Sequence, residues 1–527
     1  MPQGKRVASL FHLCINYISV NMDKWSLVNT PNDTNINSDL SGGLFNQLSA
    51  GILHALMCTV INRKERSVHH HFEMLVTQQL KELHPSCWGL NKTEMAHLIH
   101  LASIRCSELQ CICFHSNSDN FEDYLHLLPK FEKLTTLNFC QSQVGDPFLK
   151  AVGTCCPNLR ALDVSGCISV TDVGIESLCV SYDDEGRERA RPPCEFLQKL
   201  FFHKSGVTKQ GIQMALKKLP ALKICSGATA QLISEIRQTD APDKTYALIA
   251  LSVTPDSTLY KSGNLAEALS ICPFITKVEI FVKVAIDPNL RQLYDSTAGF
   301  TDVELLSLTA LKNLSILIIA AQTHRLGTAP ISFGGGVEPV LKVIGKSIHT
   351  LVLCGISGVN VELIAKHCDS LRSLNLRWER KRRAHSNAPE ETHGARKRLQ
   401  MQNRIIFREL EKLHLSGPVP SEYLRFLLSS PSLEVVHISD CSTVTDDLLE
   451  NVTECHDFVH LKYLVLTKCI KVSGLGVEYF MQDSNPILHL NLKGCSVSSN
   501  DIDILKQKAI DKNWQLRVVS DSDVIHE

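Results

Sequence analysis

Two short stretches of the chain carry residue types that could do chemistry. "HHHFE" at 69–73 offers imidazole and carboxylate ligands for a metal ion such as zinc, and "FGGGVEP" at 333–339 offers a glycine-rich turn that could cradle phosphate. Adjacent histidines on a helix point in different directions, and the glycine run lacks the Lys-Ser/Thr of a phosphate loop. Because no Ser/His/Asp or Cys/His constellation accompanies them, the sequence predicts a binding protein that is not an enzyme, with no metal and no cofactor.

The composition of the 527 residues limits the classes of partner. Lys and Arg number 54 and Asp and Glu number 55, so the net charge of -1 gives no general attraction to nucleic acid or to an anionic membrane. No uncharged apolar run reaches the roughly 18 to 20 residues that span a bilayer. The 20 cysteines are scattered, which favours free thiols in a cytoplasmic and/or nuclear protein. A secreted, disulfide-bonded protein is the competing interpretation.

A repeat runs through most of the chain and must position any binding residues. The template is L-x-x-L-x-Φ, where Φ is apolar, and most copies begin 22 to 29 residues apart. In the fullest copies a cysteine follows the strand pattern (Cys167, Cys441, Cys469 and Cys495), and a segment with helical spacing comes next. The copies begin at Leu109, Leu134, Leu159, Leu197, Leu219, Leu248, Ile275, Leu314, Ile348, Leu371, Leu410, Leu433, Leu461 and Ile487.

This spacing predicts an α/β leucine-rich-repeat solenoid of horseshoe type. Alternate strand residues point to opposite faces, so the leucines face inward while the residues between them line the outer, concave side. The copies resemble the cysteine-containing class of leucine-rich repeats, which is common in substrate receptors of ubiquitin ligases. Two insertions, at 181–194 and 377–404, read as exposed loops. The second is basic, which indicates either a solvated loop or a two-part nuclear import signal.

The first hundred residues lack the repeat and contain a different pattern. On a helix, Leu10, Cys14, Tyr17 and Ile18 fall at i, i+4, i+7 and i+8 on one face. Three of them, Leu10, Cys14 and Ile18, match with the preceding small residue Ser9 the BC-box that binds elongin C, which acts together with elongin B. Such a helix would dock in an apolar groove of its partner. The competing interpretation is an ordinary helix that caps the array.

A second short pattern follows at Leu44, Phe45, Leu48 and Ile52. It resembles the box that contacts cullin-2, although Phe45 stands where that box has proline, and it predicts one helical stripe from Leu44, Leu48 and Ile52. Together the two patterns resemble the start of the zyg-eleven and Zer receptors. The same segment also resembles the opening of an F-box, which would bind a Skp-family adaptor instead.

The sequence thus predicts three regions: a helical adaptor-binding region at 1–104, a repeat array at 105–515 and a tail at 516–527. The resemblance implies a substrate-recognition subunit of a cullin-RING ubiquitin ligase. The alternatives are an F-box-type receptor, a plain interaction scaffold and an extracellular recognition protein. A protein substrate is expected on outward strand positions near the end of the array, namely His414, His437, Ser439, Thr467, His489 and Asn491.

Overall fold

The computed structural model describes residues 10–22, 24, 44–62, 69–84, 90–114, 121–239, 244–254, 260–282, 300–321, 331–378, 407–482 and 487–521. The chain forms two compact units. Within the described ranges, the first unit comprises residues between 10 and 250 and residues 271–274, and the second comprises residues 251–270 and residues between 275 and 521.

The first unit begins with helices and continues as a parallel sheet. Its helices are α1 (Leu10–Val20), α2 (Ala50–Asn62), α3 (His69–Leu75), α4 (Lys92–Arg105), α5 (Asp146–Cys155), α6 (Asp172–Cys179), α7 (Lys209–Lys218) and α8 (Ala230–Thr239), with 3-10 helices at Leu44–Gln47 and Phe121–Lys130. Its strands are β1 (Glu82–Leu83), β2 (Cys111–Cys113), β3 (Thr136–Asn138), β4 (Ala161–Asp163), β5 (Lys199–Phe201) and β6 (Ile224–Cys225). Each strand pairs in parallel with the next along the chain.

The second unit carries a ten-stranded sheet with a helical segment after most strands. The strands are β7 (Ala250–Val253), β8 (Lys277–Val282), β9 (Ile316–Ala321), β10 (Thr350–Cys354), β11 (Ser373–Arg377), β12 (Lys412–Ser416), β13 (Val435–Ser439), β14 (Tyr463–Thr467), β15 (His489–Asn491) and β16 (Arg517–Val519). The helices are α9 (Asn264–Ile271), α10 (Asp302–Leu305), α11 (Glu338–Ile344), α12 (Val361–His367), α13 (Ser421–Leu428), α14 (Asp446–Cys455), α15 (Gly474–Glu478) and α16 (Ser499–Asp511). Shorter helical turns lie at Leu306–Ala310, Phe333–Val337 and Gly345–Ser347.

The core follows from the strand alternation. In the second unit one row of directly paired residues is buried across seven strands: Leu351, Leu374, Leu413, Val436, Leu464, Leu490 and Val518. The residues on either side of this row are mostly half-exposed and face outward. One repeat cannot bury its apolar face alone, and stacking in parallel makes a continuous core. The fold is therefore an α/β leucine-rich-repeat solenoid, as the sequence predicts.

All fourteen copies of the template coincide with the strands β2 to β15. Two further strands extend these sheets: β1, inside the predicted region 1–104, pairs in parallel with β2, and β16, inside the predicted tail 516–527, pairs in parallel with β15. Parallel strand pairing therefore continues on the outer side of both predicted boundaries, 105 and 515. The template does not find these two strands because Pro85 stands where β1 would need its last apolar residue, and β16 lacks the leucine spacing.

The two predicted insertions differ in what the structure describes. Residues 181–194 form a turn in which Tyr182 pairs with Glu188 in antiparallel fashion, and the middle of the segment is exposed. The segment ends on Cys194, which is fully buried, so its last residue belongs to the core. Of the second insertion, Arg377 closes β11 and Trp378 follows it. Residues 379–406, including the basic clusters, lie outside the described residues.

An aspartate at the start of several helices ties each repeat to the next. The Asp446 carboxylate accepts hydrogen bonds from the backbone N–H of Ser473, at 2.9 Å, and from its hydroxyl, at 2.6 Å. Ser473 in turn caps α15 through the N–H of Leu475. The same arrangement joins Asp146 to Thr171, Asp172 to Thr208 and Asp302 to Ser332.

Candidate protein-binding surfaces

Helix α1 presents an apolar face that the described structure leaves uncovered. Leu10 is 77% exposed, Leu13 49% and Tyr17 64%, and Cys14 between them is also exposed. Their spacing of i, i+3, i+4 and i+7 places all four on one side of the helix. Exposed large apolar residues that cluster in this way are typical of interaction sites rather than of a solvated surface.

The other side of α1 anchors it to the first unit. Ile15, Ser19 and Met22 are buried, and α1 packs against α2. The Ser19 hydroxyl donates to the Asn16 carbonyl at 2.9 Å, which satisfies its hydrogen-bonding need inside the contact. The helix is therefore held by one face while the face with Leu10 and Cys14 remains accessible.

Of the four BC-box residues, the structure describes three. Leu10 and Cys14 are exposed on the outer face, and Ile18 is half-buried at the edge of the contact with the rest of the unit. Ser9 lies outside the described residues. Tyr17 is exposed on the face where its i+7 spacing from Leu10 predicts it. Leu13 also lies on this face although the BC-box pattern does not specify it, and its i+3 spacing from Leu10 is the sequence signal that identifies it.

The cullin-box-like residues are not arranged as their spacing predicts. Leu44–Gln47 is a 3-10 helix, whereas α2 begins at Ala50, with the amides of Ile52 and Leu53 bonded to the carbonyl of Ser49. The i, i+4, i+8 stripe therefore does not lie on one continuous helix, because a new helix begins between its members. Phe45 is buried, while Leu48 and Ile52 are half-buried.

The six predicted substrate-binding residues lie on the outward face of the second unit's sheet. In the strand register, His414 lies opposite His437, and Ser439 lies opposite Thr467. Val465 lies between His437 and Asn491 in the same row. All six are half-exposed, as the strand alternation predicts. The structure thus brings the six residues together on one face, with His489 two residues before Asn491 on β15.

The surroundings of the histidines on this face lower their pKa values and so favour the neutral imidazole. Burial lowers the pKa of His414, and the nearby His437 and Lys412 lower it further. Burial also lowers the pKa of His437 and of His489, with Arg517 adding to the effect at His489. The rings of His414 and His437 lie 5.5 Å apart, so the two imidazoles form a pair of neutral donors and acceptors.

The side chains and glycines of 69–73 and 333–339 make contacts with other residues of the chain. In 69–73, Glu73 lies 3.5 Å from His70 and 3.3 Å from His97, while His71 is buried. Across the described ranges, no group of three or more His, Cys, Asp or Glu is placed to hold a metal ion, and no helix is long and apolar enough to cross a bilayer. The run at 333–339 forms helical turns whose Gly335 and Gly336 leave room for the Asp302 carboxylate.

Comparison with known proteins finds similar folds at low identity. Neither a protein-family model nor a curated protein matches the chain. Among solved structures, an internalin of Listeria monocytogenes is 12% identical with a TM-score of 0.37, covering 76% of this chain and 89% of that chain. A leucine-rich-repeat protein of Leptospira interrogans is 12% identical with a TM-score of 0.35, covering 85% and 91%. A yeast complex of Rad7 and Elc1 is 13% identical with a TM-score of 0.43, covering 94% and 96%.

Proposed function

We propose that this chain is the substrate-recognition subunit of a cullin-RING ubiquitin ligase in the cytoplasm and/or nucleus. In this proposal α1 docks on elongin C, which is paired with elongin B, and the repeats hold a protein substrate. The chain does no chemistry itself, and ubiquitin transfer belongs to the other subunits of the ligase. The observation that carries the proposal is the exposed face of α1 with the BC-box residues Leu10 and Cys14 at its centre.

The geometry of α1 suits docking in a groove. A leucine that is 77% exposed can enter an apolar pocket, and burial of such a side chain contributes about 1.5 to 3 kcal/mol. One turn later the small Cys14 side chain permits close approach of the two backbones. Because α1 is already fixed to α2 by its opposite face, docking would not have to order this helix first.

The cullin-2 contact is the second part of the proposal. Leu48 and Ile52 remain half-exposed and can contribute apolar surface, whereas the buried Phe45 cannot be reached without rearrangement. An F-box-type receptor would use the same segment, from Leu44 onward, to bind a Skp-family adaptor. The two alternatives therefore differ in one testable respect: only the elongin proposal makes the outer face of α1 essential for adaptor binding.

The deciding experiment changes only that face. Leu10→Ala with Cys14→Phe removes the pocket-filling side chain and enlarges the close-approach site, and both positions are exposed, so the fold should be retained. We expect recovery of elongin B and C with the tagged full chain to fall at least about tenfold, because loss of a central anchor costs about 2 kcal/mol or more. Recovery is measured by affinity purification and quantitative mass spectrometry.

A matched control makes the same two substitution types at exposed helical positions of the second unit. Leu475 is 69% exposed and Cys455 is exposed, so Leu475→Ala with Cys455→Phe should leave elongin recovery unchanged. Equal elongin recovery by the α1 variant and the wild type would contradict the proposal. Recovery of a Skp-family adaptor without elongin would establish the F-box alternative.

A further inference from the structure

The outward positions of β10 to β16 share a chemical property that the repeat does not impose. In these seven described strands, the outward residues include hydroxyls, amides, imidazoles and cations but no aspartate or glutamate. They are Thr350, Val352, Cys354, Ser373, Asn375, Arg377, Lys412, His414, Ser416, Val435, His437, Ser439, Tyr463, Val465, Thr467, His489, Asn491 and Arg517. We call this set the carboxylate-free face.

The fold itself permits carboxylates at such positions. Glu82 in β1, Asp163 in β4 and Glu279 in β8 all occupy outward places on their strands. Glu279 even forms an ion pair with Lys277 on the same strand, at 2.8 Å. The carboxylate-free face instead carries Arg377, Lys412 and Arg517, a formal charge of +3 with its histidines neutral. Its positive charge is therefore a property of this surface, while the whole chain has a net charge of -1.

Hydrogen-bond donors concentrate at one place on this face. Strand pairing puts Arg377, Ser416 and Ser439 side by side on three consecutive strands. His414 and His437 lie two residues earlier on the strands of Ser416 and Ser439, and their ring centroids are 5.5 Å apart. With strands about 4.8 Å apart and outward residues about 6.6 Å apart along a strand, the five side chains cover an area about 10 Å across. An area of this width can accommodate two neighbouring carboxylates of one bound segment.

We propose that the carboxylate-free face binds an acidic segment of a protein, rich in Asp and Glu, centred on Arg377, Ser416, Ser439, His414 and His437. The inference deepens the proposed function, on which it rests, by naming the chemical class of the substrate. A guanidinium, hydroxyls and imidazole N–H groups all donate to carboxylate oxygens, and no like charge on the face opposes them. A basic segment would meet three cations and no carboxylate at the strand positions of this face.

The test is selection of a random twelve-residue peptide library on the purified full chain. Peptides recovered on the wild type should contain at least about twice the Asp and Glu content of the unselected library. The excess should disappear with Arg377→Gln plus Lys412→Gln, which removes two charges from the face. For a single recovered peptide, the same variant should weaken binding about three- to tenfold, as expected for two partly exposed ion pairs.

The matched control removes two charges elsewhere on the same unit. Lys346 and Lys366 are exposed residues of the helical side, so Lys346→Gln plus Lys366→Gln should retain the acidic selection. Neutral or basic peptides from the wild type would overturn the proposal. The proposal would also be overturned if the acidic excess survived Arg377→Gln plus Lys412→Gln and was lost when the basic clusters at 381–383 and 396–398 were changed to Gln. Elongin binding is measured on every variant, so failure of the ligase proposal is seen separately.

Discussion

At the scale of single residues, the thiols range from fully buried to exposed. Burial raises the pKa of seven of them to about 12, which suppresses the reactive thiolate near neutral pH; they are Cys106, Cys156, Cys179, Cys194, Cys225, Cys272 and Cys368. Cys14, Cys58 and Cys455 are exposed. Nineteen of the 20 cysteines are described, and all of these are free thiols.

This contrast predicts the order of alkylation. In the native protein near neutral pH, Cys14, Cys58 and Cys455 should react first and the seven buried thiols at least about tenfold more slowly. Peptide mapping by mass spectrometry gives the order. In denaturant without reductant all the thiols should react. If many cysteines resisted alkylation until a reductant was added, the protein would contain native disulfides, which would favour the secreted alternative.

We expect the pair of His414 and His437 to make the stability of the fold depend on pH. Because burial holds the folded-state pKa of His414 and His437 below the ordinary value of 6.5, the unfolded chain takes up protons first as the pH falls. Their contribution to stability is complete above about pH 6.5 and is lost as the pH falls from there through the folded-state pKa values. His414→Gln with His437→Gln should therefore reduce the drop in Tm between about pH 7 and pH 5.

The control for this prediction changes two exposed residues of the same unit that do not titrate, so Ile470→Gln with Leu475→Gln should leave the pH dependence of Tm as in the wild type. Thermal unfolding of all three proteins, followed by circular dichroism across the pH range, provides the comparison. Parallel curves for the double variant and the wild type would show that the pair does not contribute to acid sensitivity.

At the scale of elements, the aspartates that bind the starts of helices require glycine at nearby positions of those helices, which hydrophobic spacing does not predict. A Cβ on Gly476 would come within 2.2 Å of the Asp446 Oδ1, and one on Gly174 within 2.5 Å of the Asp146 Oδ1. Each glycine makes space for the carboxylate that binds the start of its own helix. The repeat therefore has a polar ladder along its helical side as well as its leucine core.

This ladder can be tested by a double-mutant cycle. Asp446→Ala removes two hydrogen bonds to Ser473 and should lower the free energy of unfolding by about 1 to 3 kcal/mol. Gly476→Ala should cost a similar amount through steric conflict with the same carboxylate. In the Asp446→Ala background the Gly476→Ala change should cost clearly less, because its nearest clash is gone.

Denaturant unfolding measures each corner of the cycle. Gly334→Ala serves as the control, since a Cβ there meets no heavy atom within 4 Å. Additive effects of the two changes would mean that Gly476 is small for a reason other than Asp446.

The elements also show what the sequence could predict. Every template copy from Leu109 to Ile487 lies at a strand because each strand buries its own leucines, a local property that the sequence records directly. The first and last strands were missed because β1 is cut short before Pro85 and β16 lacks the leucines. The residues from Leu44 to Ile52 do not share one helix because α2 begins at Ala50, a break that periodicity alone does not reveal.

At the scale of the whole molecule, the described strands belong to two sheets, β1 to β6 and β7 to β16, each built by parallel pairing. The template cannot see this division because it specifies which residues each repeat buries and not which strand lies beside it. The exposed face of α1 was predictable, since a helix with apolar residues on both sides must leave one of them uncovered unless it is fully enclosed.

The central claim is that the outer face of α1 is the docking site for elongin C. The most direct test is titration of the purified full chain with the purified elongin B–C pair, followed by size-exclusion chromatography with light scattering. We predict a stable complex of one chain with one elongin B–C pair, absent for Leu10→Ala with Cys14→Phe and retained for Leu475→Ala with Cys455→Phe. No complex with the wild type, or the same complex with the α1 variant, would contradict the account.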